Sequence, residues 1–135
     1  MNKPTSRVRT MFRVGFVFYT IALLTATHWP GLAIKGSFSR IDLVIHAGVF
    51  FVWTCLLFMA HLIAVGGRFG CACLKRRIVW TGVVGICFAF FDELTQPLFR
   101  RVADPLDLAA DSFGVLVACG VLFVCEKLRN SHRHL

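Results

Sequence analysis

"FDELTQPLFRRVADPLDLAADSFG", residues 91–114, sets Asp92, Glu93, Asp104, Asp107 and Asp111 between two apolar runs. The whole chain holds only seven acidic residues, so this concentration sits where topology or function demands it. Around the stretch the composition is that of a lipid-embedded protein. Of 135 residues, 57% are hydrophobic and 16% charged, with a mean hydropathy of +0.71, too apolar for a soluble domain. The net charge of +8 would suit a nucleic-acid partner. However, Lys and Arg cluster in the short segments between apolar runs instead of forming one basic face, which argues against nucleic acid and for membrane topology.

Four segments approach the roughly 20 apolar residues that cross a hydrocarbon core: 14–33, 43–65, 78–96 and 106–125. The sequence therefore predicts an all-α, polytopic membrane protein, one domain of four transmembrane helices in a bundle, with basic tails at 1–12 and 127–135. A signal peptide is the alternative for the first segment, since Lys3, Arg7, Arg9 and Arg13 precede it and Ala26 is a small residue near a cleavage point. Against that, the stretch runs on through His28, Trp29 and Pro30, and Trp29 suits an interfacial anchor.

Basic residues near helix ends accumulate on the cytoplasmic side. Lys3, Arg7, Arg9, Arg13, Arg68, Lys75, Arg76, Arg77, Lys127, Arg129 and Arg133 all fall on one side of this topology. Both termini are thus expected in the cytoplasm, in an inner or plasma membrane. Every acid except Glu126 falls at the other end, where the second, third and fourth helices meet.

Helical period then sorts the polar residues. Gly82, Gly85, Ala89, Glu93 and Gln96 form one stripe on the third helix, and Asp104, Asp107, Asp111, Gly114 and Ala118 form another on the fourth. Small residues allow close helix approach in lipid, so both stripes should face protein and carry their acids inward. Asp92, one position off, is expected to be the least informative acid. Asp42 and His46 are four apart on the second helix and can touch. Pro105 suits the first turn of the fourth helix, where its missing N–H costs nothing. His28 and His61 read as a loop residue and a helix-end residue. The six cysteines are mostly inside apolar runs and read as small buried residues, and the Cys71-x-Cys73 pair is a weak metal or redox signal.

The order Asp42-x-x-x-His46, Glu93-x-x-Gln96, and Arg101-x-x-Asp104-x-x-Asp107 followed by Asp111 and Gly114 resembles the VanZ-like family over about residues 28–118. These are small four-helix membrane proteins named for a protein that lowers susceptibility to teicoplanin. That family usually has Asn at the position of Asp111, often Lys at that of Leu43, and often Pro-Gly where this chain has Phe99 and Arg100.

The resemblance and the acidic pocket imply a site of Asp42, His46, Glu93, Gln96, Arg101, Asp104, Asp107 and Asp111 that binds an outer-leaflet lipid, a cell-wall lipid intermediate or an amphiphilic glycopeptide. Arg101 would contact an anion. An enzyme acting on an outer-leaflet lipid is the alternative, with Glu93 as acid and His46 as base oriented by Asp42, or with Asp104, Asp107 and Asp111 holding a divalent cation. No nucleophile motif, phosphate loop or metal signature accompanies it, so catalysis is the weaker expectation. A small subunit of a larger complex is the third reading.

Overall fold

The computed structural model describes residues 6–29, 39–62 and 71–131. Four helices account for nearly all of them: α1 (Ser6–His28), α2 (Ser39–Met59), α3 (Cys71–Thr95) and α4 (Pro105–Ser131), with a 3-10 turn at Gln96–Phe99 between the last two. Each is long and apolar enough to cross a membrane. Large apolar side chains such as Val44, Val79, Leu94, Phe113 and Leu116 are exposed around the bundle, as expected where lipid replaces water as the solvent.

The helix ends depart from those that hydropathy predicts, because hydropathy measures transfer to lipid whereas a helix stops where its backbone does. α1 starts among the basic residues, so Arg7 and Arg9 are helical instead of lying in a tail, and it ends at His28, two residues before Pro30. Likewise, α3 begins at Cys71 and takes in Lys75, Arg76 and Arg77, and α4 runs on through Lys127 and Arg129. α2 stops at Met59, six residues short of expectation, followed by His61 in a left-handed conformation with φ 52°. Its last carbonyls are taken by two guanidinium groups. Arg13 donates to Ala60 O at 3.2 Å and Arg77 donates to Phe58 O while lying 4.0 Å over the Phe58 ring. The remainder of the expected 14–33 and 43–65 spans, and the side chains of Cys71 and Cys73, lie outside the described residues.

The chain runs up and down four times. The start of α1 meets the end of α2 (Arg13 to Ala60), the end of α1 meets the end of α3 (Thr27 to Asp92), and the start of α2 meets the start of α4 (His46 to Asp111). α2 and α4 are therefore parallel, and theirs is the most extensive contact. α3 packs on α4 and α2, while α1 leans on α2 and touches α3 lightly and, among the described residues, does not reach α4.

The small-residue stripes are what bring the helices together. Gly82, Gly85, Gly114, Ala89 and Ala118 are all buried. A Cβ on Gly114 would lie 2.1 Å from the backbone oxygen of Ala47 on α2, and one on Gly85 would lie 2.8 Å from a Val115 methyl. The first pair meets at a spacing that only glycine permits, and the second at one where a side chain would force Val115 to shift. The core below the acidic end consists of Leu23, Phe50, Trp53, Leu57, Ala89 and Val115. Trp53 stacks flat on Phe88, with centroids 4.4 Å apart, and donates its indole N–H to Thr20 Oγ1 at 3.0 Å. Tyr19 donates to Val49 O at 3.1 Å.

Candidate functional site at the acidic end

The turn between α3 and α4 determines how the acids are presented. Pro97 has no N–H to continue an α-helix, and the chain tightens into the 3-10 turn. That turn ends on Arg100, whose φ of 62° and ψ of 28° are left-handed, with its N–H donated back to Pro97 O at 3.2 Å. Asp104 then caps α4. Its side chain accepts from Leu106 N–H at 2.9 Å, its carbonyl accepts from Asp107 and Leu108, and Pro105 takes the first helical position as expected. Asp104, expected as a ligand, is exposed and caps the helix through Oδ1.

His46 is the centre of the first polar group. Its Nδ1 lies 3.0 Å from Asp111 Oδ1, and its Nε2 lies 3.7 Å from Asp107 Oδ2. With Asp111 ionised its oxygens only accept, so the Nδ1 proton points to Asp111, and in the neutral imidazole Nε2 is left for the other side. Asp111, not Asp42, therefore orients the imidazole: Asp111 faces it across the α2–α4 contact. Asp42 lies one turn before His46 on α2, and one ligand atom from each of Asp42, His46 and Asp107 lies within 4.8 Å of the others. Asp104 has no place in that group, which replaces the expected trio of Asp104, Asp107 and Asp111. The Asp111 side chain is fully buried, and its Oδ2 accepts no hydrogen bond among the described residues.

The second polar group departs most from expectation. Asp92 is fully buried. Its Oδ1 accepts from Thr27 Oγ1 at 2.9 Å, and His28 Nδ1 lies 3.7 Å away. His28 is the last residue of α1, not a loop residue. Its Nδ1 is 2.9 Å from Leu24 O and its Nε2 is 2.8 Å from Thr95 Oγ1, with Phe99 edge-on to the ring at 4.8 Å. Thr27, His28, Asp92 and Thr95 thus tie α1 to α3. The available signal was that each is a polar residue within an apolar run.

Gln96 and Glu93 lie between the two groups. The Gln96 amide donates to Glu93 Oε2 at 3.1 Å and to Asp92 Oδ2 at 3.5 Å, and Glu93 Oε1 accepts from Asp104 N–H. Both oxygens of Glu93 are engaged in holding the α3–α4 turn. As a result, the expected Glu93–His46 acid–base pair is not assembled by direct contact.

A cleft of about 120 Å³ opens between α1 and α2 beside His46. Its lining residues are the polar Thr27, Asp42, His46 and Arg101 and the apolar Leu23, Ala26, Ile45, Val49 and Phe50. Arg101 is half-buried there and, among the described residues, makes no ion pair within 4 Å. Among the described residues, the imidazoles of His28 and His46 are the basic side-chain groups that come within 4 Å of a carboxylate at this end. Comparison with protein families, curated proteins and solved structures found no match to this chain.

Proposed function

We propose that this chain is a VanZ-like protein of the cell membrane, with both termini in the cytoplasm and an outward-facing cleft that binds an amphiphile of the outer leaflet. The cleft carries the reading. Its lining combines Arg101, Asp42 and His46, which can meet a head group, with Leu23, Ile45, Val49 and Phe50, which suit an acyl or prenyl chain. The orientation is supported by the basic residues Arg9, Arg13, Lys75, Arg76, Lys127 and Arg129, which cluster at the bundle end opposite His46. The family reading is supported by Arg100: the position where VanZ-like chains often have glycine is left-handed, a conformation that glycine adopts without steric cost.

Native mass spectrometry of the protein in mild detergent tests this. A phospholipid or lipid-linked cell-wall intermediate held by the wild type and lost in Arg101→Met supports the proposal. A protein without bound lipid at saturating lipid refutes it. A teicoplanin susceptibility that changes on deletion or expression of the gene would identify a glycopeptide as part of the ligand class.

A second reading, an enzyme acting on that amphiphile, is favoured by the His46–Asp111 pair, a buried carboxylate directing an imidazole whose other nitrogen is left for a general base. Incubation with labelled membrane lipids distinguishes it from simple binding: an altered lipid that disappears with His46→Gln supports catalysis, and an unchanged lipid pool refutes it.

A further inference from the structure

We infer that Asp42, His46 and Asp107 form a binding site for one divalent transition-metal ion, with Asp111 as the carboxylate that orients the imidazole. The histidine geometry is the first support. Nδ1 is committed to the fully buried Asp111 at 3.0 Å, so in the neutral imidazole Nε2 carries a lone pair on the side of Asp107. A carboxylate behind a histidine is the usual partner of a metal-ligating imidazole, fixing the tautomer and raising the basicity of the free nitrogen.

Spacing is the second. Nε2 and Asp107 Oδ2 are 3.7 Å apart, and neighbouring ligands on a tetrahedral ion with bonds of about 2.0–2.1 Å stand about 3.3 Å apart. A shift of a few tenths of an ångström brings these two into range. One ligand atom from each of the three residues lies within 4.8 Å of the others, on parallel helices fixed by the close passage of Gly114 over Ala47.

Charge is the third and independent support. Asp42, Asp107 and Asp111 converge on a single imidazole, and none is within 4 Å of a Lys or Arg nitrogen among the described residues. The second oxygen of Asp111 is buried with no hydrogen bond from the described residues, and its charge behind the imidazole adds to a negative cluster that a cation offsets. The donor set then selects the metal. One imidazole nitrogen with two carboxylates suits Zn²⁺ or Mn²⁺ better than the all-oxygen shells of Ca²⁺ and Mg²⁺. Three protein ligands leave a coordination position free, and Asp42 and His46 both line the cleft.

The site does not depend on an amphiphile entering the cleft, and its test uses the metal alone. Full-length protein in detergent, treated with chelator and exchanged into metal-free buffer, is titrated with MnCl₂ while free Mn²⁺ is followed by electron paramagnetic resonance. Zn²⁺ is then added as competitor. One Mn²⁺ per chain is expected, displaced by Zn²⁺, with nitrogen coupling from one imidazole. Asp107→Asn and His46→Gln abolish binding, Asp42→Asn weakens it at least tenfold, and Asp111→Asn weakens it by about 10- to 100-fold. Glu126→Gln, at the opposite end, leaves it unchanged. Circular dichroism and gel filtration establish which variants fold, and Asp42→Asn, at the half-exposed start of α2, provides a ligand variant away from the buried core. Absence of stoichiometric binding by the wild type overturns the inference, as does undiminished binding in the folded ligand variants.

Discussion

Replacing Gly114 by alanine would test whether the α2–α4 contact holds the acidic site together. The added Cβ would lie 2.1 Å from Ala47 O, 2.9 Å from its carbonyl carbon and 3.0 Å from its Cα, where ordinary contact begins at 3.4 Å. All three atoms are backbone, so no rotamer relieves the clash, and the helices must separate locally by about 1 Å, an overpacking that costs about 1–3 kcal/mol or more. Alanine's better helix propensity returns at most about 1 kcal/mol. A net loss of about 2 kcal/mol is expected, near 30-fold in the folding equilibrium. Gly48 and Gly120 have nothing within 4 Å of an added Cβ, so the same substitution there is neutral or mildly stabilising. Gly85→Ala should fall between, because the Val115 methyl at 2.8 Å belongs to a side chain. The separation also strains the 3.0 Å His46–Asp111 bond, because Ala47 adjoins His46 and Gly114 lies three residues beyond Asp111. Reversible unfolding in mixed micelles, read by Trp53 fluorescence, measures the series, and the Nδ1 proton resonance of His46 reports the bond. Equal stability of Gly114→Ala and Gly48→Ala, with an unmoved His46 resonance, would refute the reasoning.

Arg100→Gly should stabilise the fold by about 0.5–1 kcal/mol, because the left-handed conformation costs a side-chain-bearing residue about 1–2 kcal/mol and glycine returns part of that as backbone freedom in the unfolded chain; micellar unfolding measures it. Thr27→Val keeps the shape but removes the donor to the buried Asp92, an expected loss of about 1–3 kcal/mol that Thr27→Ser restores. His61 lies beyond the apolar span of α2, where burial first, and then the charges of Arg77, Arg9, Arg13 and Arg129, hold its imidazole below the ordinary value of 6.5. Its folded value lies below its unfolded one, so His61 becomes destabilising as the pH falls below 6.5. His61→Gln should then make the loss of stability in that acid range shallower, as unfolding curves at stepped pH would record.

Periodicity carried the reading wherever neighbours lie on one helix. Gly82, Gly85 and Ala89 on α3, and Asp107, Asp111, Gly114 and Ala118 on α4, repeat at three- and four-residue steps and do pack inward. The approach of His46 to Asp107 and Asp111 follows from the same stripes. The hidden features depend on register between helices. No spacing along the chain says that Thr27 and His28 reach Asp92 and Thr95 across 65 and 67 residues. Asp92 sits one position from the Glu93 stripe yet is buried, because α1 covers a second face of α3 at this end. The capping role of Asp104 was legible in its place before Pro105, but its membership of the acidic stripe obscured it.

The lean of α1 against α2, with no contact to α4 among the described residues, bears on how the protein assembles. Its ties to the rest are polar as well as packed: Arg13 to Ala60, Tyr19 to Val49, Trp53 to Thr20 and Thr27 to Asp92. In a chain synthesised from its N-terminus, α1 enters the bilayer before any of those partners exists. Thr20, Thr25 and Thr27 each have a carbonyl of their own helix within reach, at 2.8, 2.8 and 3.1 Å, so their hydroxyls are satisfied while the helix is alone in lipid. When α3 arrives, the Thr27 proton can turn from Leu23 O to the carboxylate of Asp92. The same hydroxyl that lets α1 wait in the bilayer then fastens it to the finished bundle.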